Sequence, residues 1–160
     1  MHVADPRRAA TRNASVGLFL VLVMVCAGPT AGEPMNRQLA PCPDRPNCVS
    51  SLATDEEHRV EPFAATGEEF WRALRAAVAA LPRTRIVEEE PGYLHAECTS
   101  RIFRFVDDLE LTQSEPSERV DVRSASRVGY GDWGVNRARV EALREALALA
   151  GAANGAAQPR

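Results

Sequence analysis

Residues 123–139, RSASRVGYGDWGVNRAR, concentrate the polar side chains best suited to act on a ligand. Ser124, Ser126, Arg127, Tyr130, Asp132, Asn136 and Arg137 fall within it, and Gly129, Gly131 and Gly134 permit sharp backbone turns. If a strand ends and a helix begins here, the free amides of the helix N-terminus converge on one spot. Arg127 or Arg137 would add positive charge, and the corner would hold a carboxylate or phosphate. Arg123, Ser124, Ser126, Arg127, Asp132, Asn136 and Arg137 are therefore the candidate ligand-binding residues. The alternative is bracing, in which Arg123 and Arg127 pair with Asp107, Asp108 or Asp132 and only stiffen the corner.

Other polar groups point less clearly to chemistry. Asp107 and Asp108 in FVDDLE are adjacent on a strand-like segment, so they face opposite sides and do not form a ready-made dyad. Salt bridging to Arg is the expected role. Cys48, Ser50, Ser51 and His58 supply a thiol, two hydroxyls and an imidazole within a short span. Nucleophilic catalysis would also require a base within hydrogen-bond reach and an oxyanion hole, and no GxSxG turn is present. Ser50 and Ser51 are expected to cap backbone groups in a loop. His95 stands alone on a strand, and HExxH is absent. No catalytic residue, metal or cofactor is assigned. A hydrolase using Asp107 or Asp108 with His58 stays open as an alternative, provided those side chains converge in one pocket.

Positioning such a corner requires strands before it and a helix after it. Thr66 and Glu69 match a capping box, followed by Phe70, Leu74, Val78 and Leu81 at helical spacing with Trp71 beside them; Pro82 stops the element. Residues 85–89, the turn Pro91-Gly92 and residues 93–99 read as a hairpin. Residues 102–106 and 109–112 form the next strand or pair, with a bend at Asp107-Asp108. In residues 120–127, Val120, Val122, Ser124 and Ser126 share one face, and Asp121, Arg123, Ala125 and Arg127 the other. A second helix carries Trp133, Val140, Leu143 and Leu147 on one stripe, with Asp132 as N-cap and Gly151 as terminator. The expected fold is α+β: an antiparallel sheet of about four strands with two helices packed on one face.

At 160 residues the chain accommodates one domain. Residues 1–28 read as a signal peptide or N-terminal anchor: Arg7, Arg8 and Arg12 precede the apolar run of residues 16–27, which is too short to span a bilayer. Cys26 raises the question of lipidation and Arg7-Arg8 is a weak twin-arginine candidate. Residues 29–40 form a linker, 41–150 the domain, and 151–160 a low-complexity tail expected to be disordered. Beyond residue 28 there are 16 Arg against 21 Asp and Glu, a formal charge of −5. A mildly acidic domain without a basic run argues against nonspecific nucleic-acid binding. The expected location is exported, periplasmic or extracellular, with membrane attachment only through an uncleaved or lipidated N-terminus. Such a location permits disulfides, and the spacing of Cys42 and Cys48 in CPDRPNC favours one; two unpaired residues in a turn are the alternative. Cys98 is expected to be a buried free thiol.

Three segments, CPDRPNCVSS, FRFVDDLEL and RSASRVGYGDWGVNRARVEALR, resemble the family catalogued as domain of unknown function 1499. The resemblance spans roughly residues 40–147. It implies an exported or membrane-associated location and these domain limits, and it supplies no catalytic residue. The leading expectation is a noncatalytic cell-envelope protein that binds a small anionic ligand or an envelope protein partner. A purely structural envelope protein is the third possibility.

Overall fold

The computed structural model describes residues 37–64, 67–114 and 118–156. Its elements follow in the order β1 (Cys48–Ser50), α1 (Glu68–Ala80), β2 (Thr84–Glu90), β3 (Tyr93–Thr99), β4 (Val106–Ser114), β5 (Arg119–Ser126) and α2 (Val135–Ala156). The strands form one antiparallel sheet in the order β1-β5-β4-β3-β2. The α+β class and the helices on one face agree with expectation, but the sheet has five strands rather than about four. The additional strand is β1, which pairs Cys48 with Ala125, Val49 with Ser124 and Ser50 with Arg123. Three residues carry too little alternation to reveal a strand on their own. From this edge the chain passes through α1 to the opposite edge at β2, then returns as a meander.

The helices cover the face formed by Leu94, Ala96, Leu109, Leu111, Val120 and Val122, against which Leu74, Val78, Val140 and Leu143 are buried. Each fully buried Leu or Val contributes on the order of 1.5–3 kcal/mol relative to exposure, so this layer dominates the stability. Helix α1 begins at Gly67, whose φ of +93° and lack of a side chain leave the N-terminus without a side-chain cap. The Thr66 half of the expected capping box lies outside the described residues. The helix ends at Leu81, which is extended because the following Pro82 disfavours the helical region. Between β2 and β3 the chain turns on Pro91-Gly92, with Gly92 at φ +76°.

Four expectations need correction. Residues 102–105 are not strand: β3 and β4 pair Thr99 with Val106, and residues 100–105 form the connecting loop. Bonds from Ser100 N to Phe105 O (2.8 Å) and from Phe105 N to Ser100 Oγ (2.9 Å) close that loop. The apolar pattern of Ile102, Phe103 and Phe105 imitates a strand, but pairing fixes the register elsewhere, and β4 runs unbent through Asp107 and Asp108. In addition, Trp133 does not join the apolar stripe of α2. It precedes the helix at φ +53° and is 98% exposed. Gly151 lies inside α2 rather than ending it.

A disulfide joins Cys42 to Cys48, tying the segment before the sheet to β1, and Cys98 is free and buried. Among the described residues no helix is long and apolar enough to cross a membrane. The basic and apolar residues expected to form a signal or anchor lie outside the described residues.

Candidate functional site

The corner after β5 is organised by one buried amide. Asn136, in the first turn of α2, is fully buried. Its Oδ1 accepts from Ser124 Oγ (2.7 Å) and from an Arg139 guanidinium nitrogen (2.5 Å). Its Nδ2 has two hydrogens and faces three acceptors: Asn47 O at 3.0 Å, Ser126 Oγ at 3.0 Å and Asp132 Oδ2 at 2.7 Å. Arg139 also donates to Ser124 Oγ (2.8 Å) and to Asp107 Oδ2 (2.6 Å). A buried carboxylate and guanidinium thus meet beneath the sheet end, joined through neutral side chains from β5, α2 and the segment before β1. Because Ser124 and Asp107 belong to the helix-facing side, this network continues the core in polar form.

Asp132 occupies the place where an external anion was expected. Its carboxylate accepts the Gly134 amide at 2.8 Å and the Asn136 amide at 2.9 Å, so α2 is capped from within. The three candidate arginines lie apart from this cluster. Arg127 sits on the opposite side of the sheet, donating to both oxygens of Asp108 (2.7 and 3.0 Å) and to Glu97 (2.9 Å). Arg123 pairs with Glu110 at 2.8 Å. Arg137 donates to Glu57 O and Arg59 O, each at 2.7 Å, strapping the loop before α1 onto α2. The structure therefore brings Ser124, Ser126, Asp132 and Asn136 together and separates Arg123, Arg127 and Arg137 from them. Of the pairs expected under the bracing alternative, Arg127 with Asp108 is formed; Arg123 takes Glu110 instead, and Asp107 pairs with Arg139.

Asp107 and Asp108 do face opposite sides. Burial pushes the Asp108 carboxyl up, but hydrogen bonds from Arg127 and His95 outweigh it and hold the group below the usual carboxylate range. Glu97 is also held low, first by Arg127 and then by Arg85. His58 joins neither carboxylate. Its Nε2 lies 3.0 Å from Arg45 O and its Nδ1 2.6 Å from Asp55, an arrangement that uses both ring nitrogens as donors. The carbonyl bond, followed by the Asp55 pair, raises the imidazole pKa against the opposing effect of burial. His58 thereby fastens the disulfide loop to the turn at residues 55–58. Ser50 and Ser51 act as the expected caps, with Ser50 Oγ accepting from Leu52 N and Ser51 Oγ accepting from Val122 N while donating to Asp121. Burial raises the Cys98 thiol pKa. Among the described residues no group of three His, Cys, Asp or Glu side chains is placed to hold a metal ion.

Beside the corner, loop 100–105 and the segment from Ser126 to the start of α2 enclose an open cleft of about 350 Å³. That volume is at the lower end of the roughly 300–1,000 Å³ range of small-molecule sites. Its walls include Phe103, Phe105, Val128, Trp133 and Val135, and polar groups enter from Asp107, Ser126 and Asp132. Phe103 and Phe105 stack at 5.5 Å between centroids. Arg101 lines the cleft and forms no ion pair or hydrogen bond among the described residues. Sequence reasoning assigned residues 102–105 to a strand and so missed one wall. It also left out Arg139, the cation of the buried network. The available signal was the SRIFRF segment, in which apolar residues alternate with Arg and no acidic residue intervenes.

A family model described as a protein of unknown function, DUF1499, matches residues 38–147, which take in the whole sheet, α1 and the first half of α2. The chain belongs to that family. No curated protein matches it.

Proposed function

We propose that this member of the DUF1499 family is a noncatalytic, exported cell-envelope protein that holds a small amphipathic anion in the cleft between residues 100–105 and 126–135. The observation that carries this reading is an apolar cleft beside an unpaired arginine, in a molecule whose neighbouring polar groups already have internal partners. An apolar chain or ring lies against Phe103, Phe105 and Val128, where it removes exposed hydrophobic surface from water. Its carboxylate or phosphate meets Arg101. The anion expected from sequence is retained, but its cation becomes Arg101 in place of Arg127 or Arg137. Export is supported by the Cys42–Cys48 disulfide, since such bonds persist in oxidising compartments, and by the basic and apolar residues near the N-terminus.

Calorimetric titration with decanoate and with decanol tests this reading. Decanoate is expected to bind about tenfold more tightly, as one charge-assisted hydrogen bond allows. Arg101→Gln should remove the difference while leaving the decanol affinity unchanged. Equal affinity for both compounds, or no binding of either at millimolar concentration, would refute the assignment.

A further inference from the structure

The outward surfaces of the same two loops carry a second property. Ten large apolar side chains are exposed among the described residues, and seven of them cluster here: Ile102, Phe103, Phe105, Val128, Tyr130, Trp133 and Val135. Exposure reaches 98% for Trp133, 78% for Ile102 and 76% for Tyr130. The other three are Leu52, Val87 and Leu149. Such clustering marks an interaction surface, and the Trp, Tyr and Phe content matches what the interfacial zone of a bilayer accepts.

The charges at this tip are equally distinctive. Five described arginines form no ion pair: Arg45, Arg83, Arg101, Arg104 and Arg137. Arg101 and Arg104 lie in loop 100–105, and Arg83 joins Arg101 along an adjoining depression. The sole carboxylate in the two loops, Asp132, is bonded to the α2 amides. The tip is therefore apolar and positive on a chain whose formal charge is −3.

Backbone conformation maintains this display. Arg104 and Trp133 have φ of +54° and +53°, in the left-handed region that large L residues seldom adopt. Residues kept in such conformations tend to occur where function requires them.

We infer that this tip is a docking face for an anionic lipid bilayer. Trp133, Tyr130, Phe103 and Ile102 enter the interfacial zone, and Arg83, Arg101 and Arg104 meet lipid phosphates. The interaction weakens with salt because the charges act at the surface. It shares Arg101 and Phe103 with the proposed ligand site and adds Ile102, Tyr130, Trp133, Arg83 and Arg104 outside that ligand's contacts.

The test uses the full chain carrying Trp71→Phe, which leaves Trp133 as the single tryptophan. Its emission is followed with vesicles of phosphatidylcholine alone or with 30% phosphatidylglycerol, each with and without dibrominated lipid as quencher. The expected result is a blue shift and strong quenching on the anionic vesicles, at least about fivefold weaker partitioning on neutral ones, and reversal by 0.5 M NaCl. The double variant Arg101→Gln/Arg104→Gln should lose a similar factor with an unchanged circular dichroism spectrum. Because the quencher reports on Trp133 itself, attachment through the N-terminal segment alone leaves the signal flat and overturns the inference. Equal response to both vesicle types also overturns it. So does a concentration-dependent blue shift without lipid, which would assign the face to a second copy of the chain. Decanoate binding without vesicle docking would refute only this inference; docking without decanoate binding would refute only the ligand reading.

Discussion

Asn136 and Arg139 show how much of the corner depends on single side chains. Arg139 is the partner of Asp107, and both side chains are close to fully buried, at 12% and 8% exposed. Replacing Arg139 by Met leaves a buried carboxylate unpaired, and urea unfolding should report a loss of about 3–5 kcal/mol. Adding Asp107→Leu should recover at least half of that loss, because the cost comes from the stranded charge. A single-variant loss below about 1 kcal/mol would mean that water solvates Asp107 in the native state. His58 gives a pH signature. Its folded pKa lies above the ordinary histidine value of about 6.5, so its contribution is complete below that pH and fades as pH rises through the folded pKa. The Asp55 carboxyl is held low by its bonds from His58 and stays charged over the same range. The melting-temperature gap between the native chain and His58→Gln should therefore be largest near pH 5.5 and shrink toward pH 9. A gap independent of pH would show that folding leaves the imidazole pKa unshifted, and a gap that widens with pH would show that the ring is neutral in the fold. At this scale Asn136 and Asp132 were legible from residue type beside a helix start. Arg139 was not, because nothing in a sequence says which Arg of RARVEALR turns inward.

The elements were most legible where periodicity and punctuation agreed. Leu74 and Val78 at helical spacing before Pro82, and Pro91-Gly92 between two runs, gave α1 and the β2–β3 hairpin nearly to the residue. Truncating Leu74 to Ala in the contact between α1 and the sheet should cost about 2–5 kcal/mol by chemical denaturation. A much smaller value would mean that α1 packs loosely. The errors fell where apolar residues served exposure instead of burial. Ile102, Phe103, Phe105 and Trp133 were read as strand or core because hydrophobic pattern normally reports burial. In this chain they form the walls and rim of the cleft. A local rule therefore failed at the place with the strongest claim to function, which is where such failures are expected. β1 escaped for a different reason: its pairing with β5 depends on contacts more than seventy residues away in sequence.

Over the whole molecule, the disulfide, the His58 contacts and the Arg137 strap all fix the segment around β1 onto the sheet and α2. Replacing Cys42 and Cys48 by Ser should lower stability by about 2 kcal/mol, the loop-entropy value for a sequence separation of six, without changing the circular dichroism spectrum. An unchanged midpoint would show that the noncovalent contacts suffice. Sequence alone conveyed the α+β class, the disulfide pair and the family, since each rests on local pattern. It did not convey which charged groups were already paired, because ion pairing across a sheet depends on register. That knowledge moved the candidate site from Arg127 and Arg137 to the cleft beside Arg101. The most direct measurement of that claim is an amide chemical-shift map of the isotopically labelled chain titrated with decanoate. Shifts concentrated in residues 100–105 and 126–135 are predicted. Shifts centred on Arg127 and Asp108, or on the strap around Arg137, would contradict it and return the anion to the residues first singled out in the sequence.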